Sequence, residues 1–259
     1  MPNSTIEATI NSNGQLVFDS HHFENLDQAM SQVLTPEIYQ QSTSTGWQFW
    51  GFQDSKRQTW IPLEHCRAKL IMDSKPTPVR TSETHPLRID VIELPNNSGK
   101  IGMTFCPGKK IMGLYGGQWQ RDINLDLNVI EKANTSSLLS VIEDHEFDIL
   151  GVPDFKKTIQ NYNLQWYQLL IKDCETPSAT FEKQWTILAP KIHQQLNNNE
   201  LIVIHCRGGL GRTGLLAARI LVETGFTPVD AISLVRSTRA HTIETFAQEY
   251  YILTQAWIN

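Results

Sequence analysis

Between Val203 and Gly214 the chain reads VIHCRGGLGRTG, a thiol and a guanidinium separated by five residues, three of them glycine. The glycines at 208, 209 and 211 admit unusual backbone angles and leave room for a tetrahedral oxyanion against the main chain. An apolar β-branched run, LIVIH, precedes the loop, and a helical pattern follows it. Strand, loop and helix therefore aim several N–H groups and the positive end of a helix dipole at one point, a concavity that binds anions. Arg212 adds a planar two-pronged donor matched to phosphate oxygens. The run departs from the Walker A loop, Gly-x-x-x-x-Gly-Lys-Ser/Thr, by carrying Cys206 at the first glycine and Arg212 at the lysine. Donors that hold phosphate also hold a thiolate, and cysteines at helix N-termini titrate at about 3.5–7.5. A thiolate facing the phosphorus of a bound phosphate is a nucleophile. The residues thus imply attack on a phosphate ester through a phosphocysteine intermediate. The bland alternative, a core cysteine beside a glycine-rich turn, is outweighed by the complete loop between a buried strand and a helix.

The elements that must position this loop read as an α/β fold: a parallel-core sheet flanked by helices, preceded by a small N-terminal α+β module. LRIDVIEL, KIGMTF, LLSVI, LQWYQLLI and LIVIH are the expected strands, the last a buried central one. Helices are expected around Leu125–Ala133, Pro153–Tyr162, Phe181–Leu196 (with Pro190 as a kink) and Thr213–Thr224, then from Thr227-Pro228, where a cap precedes a proline. A final helix is expected to carry Ile243, Phe246, Tyr250, Leu253 and Trp257 on one face. In such sheets ligands bind beyond the carboxyl ends of the strands, where Cys206 falls. Residues 1–72 read as the separate module. It has a hairpin turning at Asn13-Gly14, a short helix over Phe23, Leu26, Met30 and Val33, and two aromatic-rich strands in GWQFWGFQDSKRQTWIPL. Its Trp47, Phe49, Trp50 and Phe52 are read as a small core, with a partner-binding face as the alternative. The Pro-, Ser- and Thr-rich stretch 73–86 is the candidate linker, leaving 87–259 as the chemical domain.

Composition narrows the setting. The 259 residues are 40% hydrophobic and 19% charged, with a net charge of −5, so no global basic field draws the chain to nucleic acid or anionic membrane. No apolar run approaches the roughly 20 residues of a membrane helix, and MPNSTIEATINSNG lacks the pattern of a signal peptide. Cys66, Cys106, Cys174 and Cys206 form no C-x-x-C pair, which favours a reducing, cytoplasmic setting without zinc or a disulfide framework. Export by a route without a cleaved signal stays open.

The sequence His-Cys-Arg-Gly-Gly-Leu-Gly-Arg-Thr-Gly resembles the signature loop of the cysteine-dependent protein phosphatases, the tyrosine and dual-specificity superfamily. The resemblance runs from about Gly99 to the C-terminus, through IGMTFCPGKK, GVPDF, IKDCETPS and IETFAQEYYIL, and is most like the kinase-associated phosphatase branch. It implies Cys206 as nucleophile, Arg212 as phosphate clamp, Thr213 as the hydroxyl that eases thiolate departure, and His205 as the residue that fixes the loop and tunes the thiolate. It further implies Asp173 as general acid, with Glu175 as competitor. Arg207, Gly208, Gly209, Leu210 and Gly211 would line the phosphate with Arg212. Gln248 would contact the loop or place water, an ordinary exposed helical glutamine being the alternative. Glu244 would repel an acidic flank if it faces the pocket. Lys109 and Lys110 are read as a solvated turn, with a basic rim as the alternative. Cys174, beside the proposed acid, is weighed as a partner for oxidised Cys206. The implied enzyme needs no metal or cofactor. It acts on a phosphorylated protein, kinases among the candidates, through phosphotyrosine, phosphoserine or phosphothreonine. Phosphoinositide or RNA 5′-phosphate hydrolysis, and phosphate binding without turnover, are the alternatives. No nucleic-acid or integral membrane partner is expected, and the oligomeric state stays open.

Overall fold

LIVIHC lies at the centre of a five-stranded sheet, as its unbroken apolar run requires. In the computed structural model this strand, Leu201–Cys206, pairs in parallel with Lys100–Phe105 on one side and Thr135–Ser140 on the other. Residues 6–54, 59–72, 79–95, 98–112 and 117–254 are described, except for the side chains of 54, 59 and 68–72.

In chain order the smaller body contains β1 (Thr9–Ile10), β2 (Leu16–Phe18), β3 (His21–Phe23), α1 (Leu26–Val33), α2 (Pro36–Gln41), α3 (Gly46–Phe49), β4 (Gly51–Asp54), β5 (Thr59–Pro62) and α4 (Leu63–Met72). The larger body follows with β6 (Asp90–Glu93), β7 (Lys100–Phe105), α5 (Ile123–Lys132), β8 (Thr135–Ser140), α6 (Asp144–Ile149), α7 (Phe155–Thr158), β9 (Gln165–Gln168), α8 (Ala179–Asn197), β10 (Leu201–Cys206), α9 (Gly211–Glu223), α10 (Pro228–Thr238) and α11 (Phe246–Thr254). The sheet order is β6-β7-β10-β8-β9; β9 is parallel to β8, and only the edge strand β6 runs antiparallel. Ile202, Val203 and Ile204 are wholly buried, which is why apolar residues occupy both faces of β10. Helix α9 is buried from Gly211 to Val222, so the helix behind the loop is a core element. Caps set the boundaries: Asp122 accepts from Asn124 and Leu125, Ser178 from Phe181, and Thr227 from Asp230. Helix α8 contains Pro190 and continues to Asn197.

Several sequence expectations need correction. In the first hairpin only Gly14 takes a positive φ, 78°. The turn is a wider loop in which the Asn11 carboxamide accepts from the N–H groups of Asn13 and Gln15. Phe23 belongs to β3, because Asn25 caps the helix that starts at Leu26. Residues 46–49 form a helical turn rather than a strand, fixed by reciprocal bonds between Thr45 and Gln48. Ile243 precedes the last helix with φ of 56°, and Trp257 lies outside the described residues. Helices α2, α4 and α6 were not anticipated. Of the candidate linker, 73–78 lie outside the described residues. Arg80 already bridges to Trp119, and Arg121 donates to the carbonyls of Thr81 and His85, so the later part of that stretch packs on the larger body. No helix among the described residues is long and apolar enough to cross a membrane.

The two bodies join through α11. Met30 and Leu34 of α1 bury against Phe246, whose ring lies 4.9 Å from Phe49. Beside this contact the wholly buried Glu249 receives the N–H groups of Thr43 (2.7 Å) and Ser44 (3.0 Å), the hydroxyls of Ser42, Thr43 and Ser44, and Arg236. Trp50 packs inside the smaller body with Leu16 and Ala29, while Phe52 is partly exposed. Burial alone would raise the pKa of Glu249, but Arg236 and the bonds from Ser44, Thr43 and Ser42 outweigh it, and the net shift is downward. A lowered carboxyl contributes stability that is complete above its unfolded value of 4.5 and is lost as pH falls through the lower folded value. Glu249→Ala should therefore destabilise the protein by about 3–5 kcal/mol near neutral pH by stranding Arg236 and the segment at 42–44. Denaturant unfolding measures this, and the difference from the parent should shrink as pH drops below 4.5.

Candidate active site

The carboxyl ends of four strands converge on one pocket. Strand β10 delivers Cys206 and, across the loop, Arg212; the segment after β9 delivers Asp173; that after β7 delivers Lys109; and α6, after β8, delivers Glu146. Cys206, Arg207, Gly208, Arg212, Asp173 and Lys109 line the pocket together with Ile111, Met112, His65 and Glu244.

The loop is shaped from both sides. Gly209 has φ of 71°, and a Cβ there would overlap the Thr104 carbonyl of β7, so only glycine fits. Its N–H donates to the Cys206 sulfur at 3.2 Å. Arg239 takes the outward carbonyls, Nε donating to Gly209 O (2.6 Å) and Nη2 to Gly208 O (3.3 Å), and is itself held by Asp90. With those carbonyls tied outward, the Gly209 and Gly211 N–H groups turn to Cys206 and Glu244, both of which line the pocket. Leu210 precedes α9 and accepts from the N–H of Gly214.

His205 is wholly buried. Its Nδ1 donates to the Cys206 carbonyl (3.3 Å), which makes Nε2 the acceptor of the Ser140 hydroxyl at 2.6 Å; Ser140 in turn receives Trp166 Nε1. Burial lowers the imidazole pKa to about 4, the bond to Cys206 O opposing and Arg212 adding to it, so the ring is neutral near pH 7. Thr213 is also wholly buried, and its hydroxyl has no hydrogen-bond partner among the described residues.

Arg212 is 1% exposed. Glu146 grips it with both oxygens (2.5 and 2.8 Å), the Ile171 carbonyl accepts from Nη1, and Asp173 lies 3.0 Å from Nη2. Burial opposes its charge, but Asp173, Glu146 and Cys206 outweigh that and hold the pKa well above the ordinary arginine value. Among the described residues these partners engage Nη1 and Nη2, and none takes the Nε–H. Asp173 is 31% exposed and also stands 3.8 Å from Arg207. Glu175 does not line this pocket; its carbonyl accepts from the Gln248 amide. Gln248 is wholly buried, touches the Gly211 region and accepts from the Glu244 N–H, so it is not an exposed helical residue. Cys174 lines a separate depression with Trp50, Thr245 and Phe246, and burial and Asp173 push its thiol up.

The expectation of a solvated turn holds for Lys110 and fails for Lys109. Lys109 is 6% exposed because its ammonium sits 4.3 Å from the Phe105 ring centroid and 4.6 Å from that of Trp119. Burial lowers its pKa to about 7, against opposing contributions from Cys106 and Cys206. Sequence reasoning also missed Glu146, Arg239, Ser140 and His65. Glu146 had one local signal: Glu143 and Glu146 form a reciprocal cap at the start of α6.

A strand-end cysteine that accepts a loop N–H, with a buried arginine and an aspartate beside it, is the set of groups a cysteine-dependent phosphatase requires. The comparisons agree. The family model "Polymorphic toxin system, DSP-PTPase phosphatase" matches residues 117–226. Cyclin-dependent kinase inhibitor 3 of Rattus norvegicus is 27% identical over 185 residues, 70% of this chain and 84% of that protein. A probable protein tyrosine phosphatase type IVA B of Dictyostelium discoideum is 34% identical over 89 residues, 32% of this chain and 55% of its own length. A crystal structure of the kinase associated phosphatase, with its catalytic-site cysteine changed to serine, superposes with a TM-score of 0.56 at 23% identity, covering 64% of this chain and 92% of that one, and shows the fold. The chain is similar to the cysteine-dependent phosphatases of the tyrosine and dual-specificity superfamily, its kinase-associated branch among them.

Lys109 carries its charge below about pH 7 and loses it above. Sulfate, a dianion across that range, should bind more weakly as pH rises through 7. Lys109→Met should weaken binding about 10-fold at pH 6, as expected of a lost charge contact, and should flatten this part of the pH dependence. Calorimetric titration of both proteins from pH 6 to 8.5 checks it.

Proposed function

We propose that this enzyme hydrolyses phosphate monoesters on proteins in two displacements at Cys206. The Gly209 N–H on the Cys206 sulfur, in a pocket shared with Arg212 and Asp173, is the observation that carries this reading. The phosphate dianion lies on the loop N–H groups of 207–210, beside the Gly211 N–H that Glu244 holds, and takes the Nε–H edge of Arg212, displacing Asp173 from Nη2. The guanidinium then offers two parallel donors to the equatorial oxygens. The Cys206 sulfur attacks phosphorus, the bond from phosphorus to the ester oxygen breaks, and Asp173 gives that oxygen its proton. In the second step the Asp173 carboxylate takes a proton from water as the water oxygen attacks phosphorus. The phosphorus–sulfur bond breaks, and the Thr213 hydroxyl, which has no partner among the described residues, donates to the departing thiolate. His205 acts through the backbone: neutral and bonded to Cys206 O, it fixes the strand end without moving a proton.

The substrate is a phosphorylated protein, and a kinase is a candidate because relatives carry the name cyclin-dependent kinase inhibitor 3. All four cysteines are free, which suits a reducing compartment. Residues 6–72 act as an accessory module fixed to the phosphatase unit.

Phosphate release from matched phosphotyrosine and phosphothreonine peptides and from a phosphoinositide, in chelator and reductant, tests the reading. Cys206→Ser should abolish turnover. Asp173→Ala should lower kcat by about 10²–10⁴-fold on alkyl esters and much less on para-nitrophenyl phosphate, whose leaving group needs little protonation. Turnover confined to the phosphoinositide would replace the protein-substrate reading, and activity surviving Cys206→Ser would remove the mechanism.

A further inference from the structure

The pocket around Cys206 is not built by the phosphatase unit alone. His65 belongs to α4 of the N-terminal module, yet it lines the same pocket as Cys206, Arg212 and Asp173. Its Nε2 faces Glu244 Oε1 at 3.4 Å, and the two side chains are only 12% and 15% exposed. Neither atom makes a hydrogen bond among the described residues, so this close approach of imidazole nitrogen and carboxylate oxygen is the polar compensation each finds there.

Glu244 stands where a carboxylate should hinder the reaction. Its other oxygen accepts the Gly211 N–H at 2.7 Å. Gly211 opens α9, so the carboxylate occupies the positive end of the helix that the phosphate also uses. Its backbone is held there by the Gln248 amide, and a Cβ on Gly211 would meet Glu244 Oε2 at 2.6 Å. A negative charge this near the oxyanion site, in a pocket of low exposure, repels a phosphate dianion unless something offsets it. The position of His65 is not a chance contact of a loose segment. Its module is fastened by the Glu249 cluster and the Phe49–Phe246 contact, and the neighbouring Arg67 of α4 lies over the Trp47 ring.

We infer that His65 is a positioning residue of the active site, through which the N-terminal module offsets the charge of Glu244 at the phosphate-binding end of α9 and so raises the enzyme's affinity for phosphate monoesters. The inference rests on the phosphatase reading for its biological meaning but not for its test. It gives the module a direct part in substrate affinity, alongside any protein contacts it makes. It also explains how an acidic residue is tolerated on a loop N–H: the carboxylate steadies the start of α9, and the imidazole limits its repulsion.

The experiment is calorimetric binding of inorganic phosphate to the full chain in a Cys206→Ser background, which needs no turnover. His65→Ala, Glu244→Gln and the double variant are compared, with His65→Lys as a variant that keeps a donor. His65→Ala should weaken phosphate binding about 5- to 50-fold, the span expected for coupled contacting residues. Glu244→Gln should tighten it, and the double variant should match Glu244→Gln alone. His65→Lys should bind phosphate nearly as the parent does. With Cys206 intact, the loss in His65→Ala should fall mainly on KM for para-nitrophenyl phosphate. An equal loss from His65→Ala with and without the Glu244 charge would mean a merely structural role and would overturn the inference. So would phosphate binding unaffected by His65→Ala. If phosphate binds with the expected coupling while the protein with intact Cys206 turns over no ester, the phosphatase reading fails and the inference about the pocket stands.

Discussion

A guanidinium in a nearly dry cavity has to be neutralised without being used up, and the arrangement around Arg212 meets that constraint. Glu146 takes one edge with both carboxylate oxygens, and the Ile171 carbonyl takes a further donor. None of the described residues takes the Nε–H, and the partly exposed Asp173, which lines the pocket, stands against Nη2. A buried pair of this kind contributes little to stability when intact, but losing one partner costs about 3–5 kcal/mol, because an unpaired charge stays behind. The pair therefore ties the pocket to the sheet. Glu146 is on α6 after β8, Ile171 and Asp173 follow β9, and Arg212 opens the helix after β10. The parallel register of these three strands brings their ends to one side.

The loop's backbone obeys a similar economy. Its N–H groups can face a ligand only if its carbonyls have other partners. Arg239 supplies them from a helix end distant in sequence, anchored by Asp90 on the antiparallel edge strand. Below the loop, Trp166, Ser140 and His205 form a chain of hydrogen bonds running from β9 through β8 to the Cys206 carbonyl, so the register of three strands reaches Cys206. Electrostatics around the thiol are thus set by fixed dipoles and paired charges rather than by solvent.

Much of this was legible in the sequence because it is local. The strand, the glycine loop and the following helix are adjacent in the chain, and LIVIH, Cys206, Gly209 and Arg212 fall within a few residues of one another. Asp173 was found through the pattern of its neighbours, and the pocket includes it while leaving out Glu175. What stayed hidden depends on pairing across long separations. Nothing in EDHEFDIL marks Glu146 as the partner of a residue 66 positions away, and nothing in the segment before α11 marks Arg239 as the support of the loop. Lys109 was misread because a charged pair in a Pro-Gly turn usually points to water; the Phe105 and Trp119 rings close over one lysine and leave the other outside. The N-terminal module was read as a small aromatic core, and Trp50 fits that reading. Its contribution to the pocket, through His65, had no signal in the local pattern at all.

If phosphate passes through a covalent bond to Cys206, that bond can be trapped. Thr213→Ala should slow thiolate departure more than thiolate attack, so the phosphocysteine should accumulate. This variant would be mixed with an excess of para-nitrophenyl phosphate, quenched in acid within one turnover and mapped by peptide mass spectrometry. The account predicts a phosphoryl adduct on the peptide containing Cys206 that is absent from Cys206→Ser and forms with the burst of nitrophenol. Turnover without any adduct, or an adduct on another residue, would contradict it.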